Sequence, residues 1–290
     1  PPQTAPAAQT TKSHTDGRQT ICAISSLCTI IAQSEALLDV KTRDMMGGLA
    51  KGLKVIEAFS AERPRLSIAE ASQLTGYDRA TVRRSLLTLS ELGYCAYDGK
   101  FFTVTPRVLR LGTGCLAAMP LPKIVQPWLD DLSEQTGQST SVSILDESDI
   151  VYVARAAQRR VMSITLMPGS RLPAYCTSMG RVMLAALPSE DARRFLMMDR
   201  SVPRTSKTIT DVEAIENELS RVRALGYAVI DQEVELGLRS LAVPLFGMRG
   251  QVVAAVNVGL AVADETIDAV VDRYLPALLN VQRELSGLPG

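Results

Sequence analysis

Apolar positions along this chain recur first at a helical period and then at mixed helical and strand periods, and the densest pattern lies early, from Leu66 to Gly93. Ser67 stands three residues before Glu70, the spacing of a capping box, and Ile68, Ala71 and Leu74 then follow as one buried helix face. Thr75, Gly76 and Tyr77 break that helix, Gly76 being able to take the positive φ of a sharp exit, and Asp78 is placed to cap a second helix beginning at Arg79. Val82, Leu86 and Leu89, extended by Leu92, make the apolar stripe of the second helix. Arg79, Thr81, Arg83 and Arg84 are left on or beside its other face, near the N-terminal end. After Gly93, a C-cap, the period drops to two: Tyr94 to Tyr97 and Lys100 to Val104 read as strands of a hairpin joined by the two-residue turn Asp98-Gly99. Upstream, Leu49, Leu53, Ile56 and Phe59 supply a first helix.

Three helices and a hairpin in this order form a winged helix-turn-helix over residues 45–106. In that arrangement the N-terminal residues of the second helix of the motif meet base edges in the major groove, and neighbouring cations hold phosphates. Arginine pairs bidentately with guanine and threonine meets the thymine methyl, so Arg79, Thr81, Arg83 and Arg84 are the expected DNA-contacting residues, with Lys100 at the hairpin tip reaching a phosphate. Residues 107–122 follow as a linker helix, RVLRLGTGCLAAM, ended by Pro120 and Pro122. Its apolar face suits a second subunit, and two-fold pairing would match a palindromic double-stranded operator.

From residue 123 to 290 helices and strands alternate in an α+β pattern. Helices are expected over Ile124 to Thr136, Ser178 to Leu187, from Ser189, over Asp211 to Leu225 and over Thr266 to Leu285. Strands are expected over Thr140 to Leu145, Ile150 to Ala154, Met162 to Met167, Tyr227 to Ile230, Ser240 to Phe246 and Val252 to Val258. Residues 1–44, low in complexity at the start and interrupted by polar residues later, read as a disordered or non-native extension, with Met45 or Met46 as the natural start.

Charge sharpens this division. The chain is formally neutral, yet residues 45–119 hold ten Lys/Arg against six Asp/Glu, while residues 120–290 hold seventeen against twenty-one. The excess of positive charge falls on the segment with the helix-turn-helix, as phosphate neutralisation requires. No window is long and apolar enough to span a bilayer, and the reading is of a cytoplasmic protein without a membrane partner. Five scattered cysteines without a C-x-x-C pair indicate neither a disulfide framework nor a zinc site. The single histidine, His14, lies in the tail, so Ser-His, Cys-His and His-metal chemistry are absent from the folded body. Neither a Gly-rich phosphate loop nor an acid-base carboxylate pair is present, and the chain reads as no enzyme and as needing no cofactor or metal.

The segments AKGLKVIEAF, RPRLSIAEASQLTGYDRATVRRSLLTLSELGY, MPGSRLPAYCTSMGRVMLA and GYAVIDQEVELGLRSLAVPLFGMRGQVVAAVNV together resemble the IclR family of transcriptional regulators. The resemblance runs from Met45 to Gly290. RRVMSITLMPGSRLPAYCTSMGRVMLA and DQEVELGLRS are most similar to the branch that governs aromatic-acid catabolism through the β-ketoadipate pathway, which answers protocatechuate, 4-hydroxybenzoate or β-ketoadipate. It implies a GAF-like α/β effector domain, a small carboxylate effector, and a homodimer or homotetramer. The effector cavity would be walled by the SRLPAYCTS loop and by the strands carrying DQEVELGLRS and AAVNV, which include Cys176 and Leu238. Arg155 and Arg171 are candidate partners for the carboxylate, because a guanidinium matches its geometry bidentately. Tyr175, Thr177, Ser178, Ser240 and Asn257 would supply hydrogen bonds. Asp231 and Glu233 would repel an acid if both faced inward, so at least one is expected to hold the fold, against Arg239. Other readings left open are a regulator answering an unrelated organic acid and a DNA-binding protein without a ligand.

Overall fold

The computed structural model of the protein describes residues 45–60, 63–158, 166–198, 202–263 and 265–288. Contacts separate the chain between Met119 and Pro120.

In the first unit, α1 (Gly47–Glu57), α2 (Ile68–Thr75) and α3 (Arg79–Glu91) pack with a three-stranded sheet of β1 (Arg65–Leu66), β2 (Cys95–Tyr97) and β3 (Phe102–Val104), in the order β1-β3-β2. The caps expected from the sequence form. Ser67 and Glu70 make a reciprocal capping box, Gly76 takes φ 74° at the end of α2, and the Asp78 side chain accepts from Thr81 N at 2.9 Å to start α3. Val55, Leu66, Ala71, Val82, Leu86, Leu89, Cys95 and Phe102 form the core.

Five details depart from the periodic reading. Leu92 is exposed beyond the end of α3, and Leu74 is exposed while Thr75 is buried. On α1 the pair Leu49 and Leu53 is 59% and 45% exposed, and Val55 fills the core instead. The hairpin connection spans four residues, with Tyr97 opposite Phe102, because the Asp98 carboxylate accepts from both Lys100 N and Phe101 N and widens the turn. β1, absent from the sequence reading, adds a third strand. The helix α4 (Leu109–Ala118) starts after a 3-10 turn at Pro106–Val108, and Pro120 and Pro122 open the next helix as much as they end this one.

In the second unit, β4 (Ser139–Asp146), β5 (Asp149–Ala156), β6 (Arg171–Pro173), β7 (Ala228–Asp231), β8 (Leu238–Phe246) and β9 (Val252–Ala261) form an antiparallel sheet ordered β6-β5-β4-β9-β8-β7. β8 is buried along nearly its whole length, so both faces of the sheet are covered. One face carries α5 (Leu121–Thr136) and α9 (Ile267–Glu284); there Thr140 donates to Leu129 O and Gln282 to Pro244 O. The other carries α6 (Ser178–Ala186), backed by α7 (Ser189–Met198) and α8 (Val212–Leu225). Asp211 and Thr266 cap α8 and α9 with their side chains. α6 lies close on the 3-10 turn Ala174–Cys176, where a Cβ on Gly180 would stand 2.2 Å from Ala174 O. Any side chain there would force the helix off the turn. β6 lies in what reads from sequence as a loop, and the strand expected over Met162 to Met167 falls mostly outside the described residues.

Candidate functional site: a basic helix face and an apolar pocket

The first unit presents α3. Arg79, Arg83 and Arg84 are exposed and make no ion pair among the described residues. Thr81 departs from the expected groove-facing placement: it is buried beside Val82, since positions 81, 85 and 89 follow one another up the packed face. Lys100 is exposed on the hairpin, its Nζ 5.1 Å from the centroid of the Phe101 ring.

The second unit holds a pocket between α6 and the sheet, open to solvent at its mouth. Strand register explains its lining. Arg155, Ser141 and Asn257 stand on one rung across β5, β4 and β9, and Ser139, Gly259, Ser240 and Ile230 form the next rung of the same face. An extra residue in β5 at Val153, opposite the Val142/Ser143 step of β4, puts Tyr152 and Arg155 on the same side although they are three residues apart. Thr177, Ser178 and Met179 enter from the start of α6, and Leu166, Leu172, Val234 and Leu238 complete an apolar wall.

Two polar groups in this wall lack ordinary partners. The Arg155 guanidinium donates to Ser141 Oγ at 3.0 Å and has no carboxylate partner among the described residues; burial holds its pKa below the usual arginine value, although Tyr152 acts in the other direction. The Asn257 Oδ1 is buried with no hydrogen-bond partner among the described residues, while its Nδ2 lies 3.5 Å from Ser240 Oγ, which in turn is hydrogen-bonded to Ser178 Oγ. An amide offers one donor and one acceptor end, so Asn257 can meet a carboxylate or a hydroxyl. Burial also raises the Tyr152 phenol well above its ordinary pKa, so it stays neutral beside Arg155.

Six of the ten effector residues expected from sequence thus line the pocket: Arg155, Thr177, Ser178, Leu238, Ser240 and Asn257. The other four lie elsewhere. Arg171 points to the hairpin between β4 and β5, where it is ion-paired with Asp146 and, at 3.0 Å, with Asp149, because its neighbour Leu172 takes the pocket side of β6. The buried Tyr175 donates its hydroxyl to Val202 O. Cys176 is buried in the 3-10 turn, and desolvation pushes its thiol up to about 11, which leaves no thiolate at neutral pH. Asp231 accepts from Arg239 at 2.9 Å and lies 3.2 Å from Lys207 Nζ. Tyr152, Ser139, Met179, Ile230, Val234 and Gly259 are pocket residues that sequence reasoning missed.

Glu233 does not face the pocket either. It forms a buried ion pair with Arg181 of α6 at 2.7 Å and accepts from Ile209 N at 3.1 Å. Arg181 also donates to Tyr175 O at 3.0 Å and lies 3.7 Å from Glu218. This network fixes α6, and with it Thr177 and Ser178, against α8 and the segment after β7. Among the described residues there is no cluster of metal-ligating side chains, and no helix is long and apolar enough to cross a membrane.

Comparison with known proteins matches both parts of the chain. The IclR helix-turn-helix domain matches residues 48–99, and the bacterial transcriptional regulator IclR C-terminal domain matches residues 113–287. A Pca regulon regulatory protein of Pseudomonas putida is 44% identical over 83% of this chain and 84% of its own length. A crystal structure of a Rhodococcus protein assigned as a transcriptional regulator is 42% identical, with a TM-score of 0.65 over 83% of this chain and 98% of that one. A double mutant of the inducer-binding domain of the PobR transcription factor from Acinetobacter, solved in complex with 3-hydroxybenzoic acid, is 33% identical, with a TM-score of 0.53 over 57% of this chain and 96% of that one. The chain therefore belongs to the IclR family of DNA-binding transcriptional regulators, which are not enzymes.

Proposed function

We propose that this regulator controls aromatic-acid catabolism and that its effector is a small carboxylate of the β-ketoadipate route, bound in the pocket between α6 and the sheet. The observation that carries the reading is Arg155: a guanidinium held in a pocket with no carboxylate partner among the described residues suits an anion, since a charge withdrawn from water needs a partner. Asn257 and the Ser178–Ser240 pair stand beside it to hold the remaining polar atoms. The Pca regulator and the PobR complex support an aromatic or related acid. Calorimetry on the full chain should show saturable binding of protocatechuate, 4-hydroxybenzoate or β-ketoadipate, with the matching amide binding far more weakly. Equal binding of acid and amide would remove Arg155 from the site.

The DNA surface we assign to α3. Arg83→Ala or Arg84→Ala should weaken specific binding by roughly 1 to 3 kcal/mol if a base contact is lost. A residue on phosphate alone would instead lower specific and non-specific binding together and reduce the salt slope by about one unit. Unchanged affinity in both variants would exclude this helix as the reader.

The active form we take to be at least a cytoplasmic homodimer. Leu109 and Leu111 on α4 are exposed in the single chain, and apolar residues so placed bury against a second copy. Sedimentation at micromolar concentration should show a dimer or tetramer, and the pair Leu109→Glu and Leu111→Glu should shift it toward monomer. A wild-type monomer that binds a full palindrome without cooperativity would contradict this.

A further inference from the structure

Arg65 lies outside every helix and outside the hairpin, yet the fold delivers it to the hairpin. The pairing of Arg65 with Thr103, and of Leu66 with Phe102, attaches β1 to β3. Leu66 is buried in the core, and strand alternation turns Arg65 to the exposed side. There its guanidinium stands 4.8 Å from the centroid of the Phe101 ring, the same ring that Lys100 Nζ approaches to 5.1 Å. Among the described residues neither cation has a carboxylate in ion-pair range. The acids that feel their charge are already engaged: Glu70 accepts from Ser67 N and Oγ, and Asp98 accepts from Lys100 N and Phe101 N. One aromatic ring at the edge of a DNA-binding unit thus carries a flat cation and a compact one, both open to an external anion.

We propose that Arg65, held by Phe101, is a specificity-determining residue that reads the minor groove beside each half-site and favours A·T-rich flanks. A stacked guanidinium has less rotamer freedom to lose and is more weakly hydrated than an ammonium, so it enters a narrow groove more readily. A·T tracts narrow the minor groove and deepen its negative potential, which rewards a guanidinium there without any base-specific hydrogen bond. Lys100, strongly hydrated, stays with phosphate. The inference rests on DNA binding through α3 but adds a second recognition element, contributed by a strand ahead of the helix-turn-helix.

The test uses the full chain and duplexes recovered from a random-sequence pool, rebuilt with one core and either A·T or G·C flanks. Wild type should prefer A·T flanks by roughly five- to tenfold. Arg65→Ala should abolish that preference while discrimination against core substitutions persists, and Arg65→Lys should also lose it while keeping the salt slope. The proposal is overturned if wild type shows no flank preference. It is equally overturned if Arg65→Ala weakens both flanks alike with a smaller salt slope, the mark of a phosphate contact, or if the variant keeps the preference. Failure of α3 as the reader would appear separately, as absence of core discrimination in the wild-type protein.

Discussion

Arg155→Met should raise the dissociation constant for the effector by roughly 30-fold to a few thousand-fold, because truncating one partner of a buried, hydrogen-bonded charge pair costs about 2 to 5 kcal/mol. Methionine keeps the length and apolar body of the side chain, so the pocket wall stays filled while the charge is removed. The fold itself should tolerate the change: without ligand, Arg155 gives up one hydrogen bond to Ser141 and relieves the cost of a partly desolvated cation. The melting temperature of the free protein should therefore hold or rise, whereas the ligand-induced increase seen with wild type disappears. Arg155→Lys should fall between the two, retaining charge but not the planar fork. Arg171→Ala is the contrasting case. Its guanidinium is already committed to Asp146 and Asp149, so effector affinity should stay within about twofold of wild type. A strong loss in Arg171→Ala with none in Arg155→Met would reverse the assignment of the carboxylate partner.

The largest effect on stability is expected at Arg181. Arg181→Met leaves Glu233 buried without its counter-charge, a change of about 3 to 5 kcal/mol, or about 6 to 20 °C in the melting temperature of a unit this size. Replacing both partners, with Glu233→Met added, should recover much of that loss, since a buried pair exchanged for apolar residues is often nearly neutral. The defect should also depend on pH in a definite direction. Burial already raises the Glu233 pKa against the pull of Arg181, and removing the arginine raises it further. A carboxyl with a raised folded pKa contributes stability that is fully present below its unfolded value, about 4.3, and lost as pH rises through the folded value. Arg181→Met should therefore lie closer to wild type near pH 4 than near pH 7. A melting temperature within a degree or two of wild type at neutral pH would show that the network does not hold α6.

How much of this was legible before any coordinates depends on whether a feature is local. Ser67 with Glu70, Asp78, Asp211 and Thr266 all cap the helices that their spacing indicates, because a cap is decided within four residues. Ser240 and Asn257 came from the family resemblance, which places their strands in the cavity wall, and the pairing of β8 with β9 sets them on neighbouring rungs of the pocket face. Tyr152 was not foreseen. Alternation alone sets Tyr152 and Arg155 on opposite faces, and only the extra residue at Val153, visible once β4 and β5 pair, brings them together. Arg171 is chemically as suitable as Arg155; what separates them is that Asp146 and Asp149 close around it from the neighbouring hairpin. Arg181 sits within the small and apolar run SMGRVMLA, and its burial depends on Glu233, 52 residues away, which no local pattern discloses. Thr81 shows the same limit on a finer scale, since a helix stripe wider than the apolar residues themselves claimed it for the core.

The claim that joins the two units is that a carboxylate in the Arg155 pocket changes the affinity of α3 for DNA. An effector can do so only by its differential affinity for two states of the protein, and the coupling is reciprocal. The most direct measurement is the affinity of the full chain for its selected operator duplex, with and without a saturating acid of the β-ketoadipate route, in wild type and in Arg155→Met. The account predicts a change of roughly 5- to 150-fold in wild type, in whichever direction the regulator works, and none in Arg155→Met or with the matching amide. An operator affinity unaltered by every acid that binds the pocket, or an equal response in Arg155→Met, would contradict it.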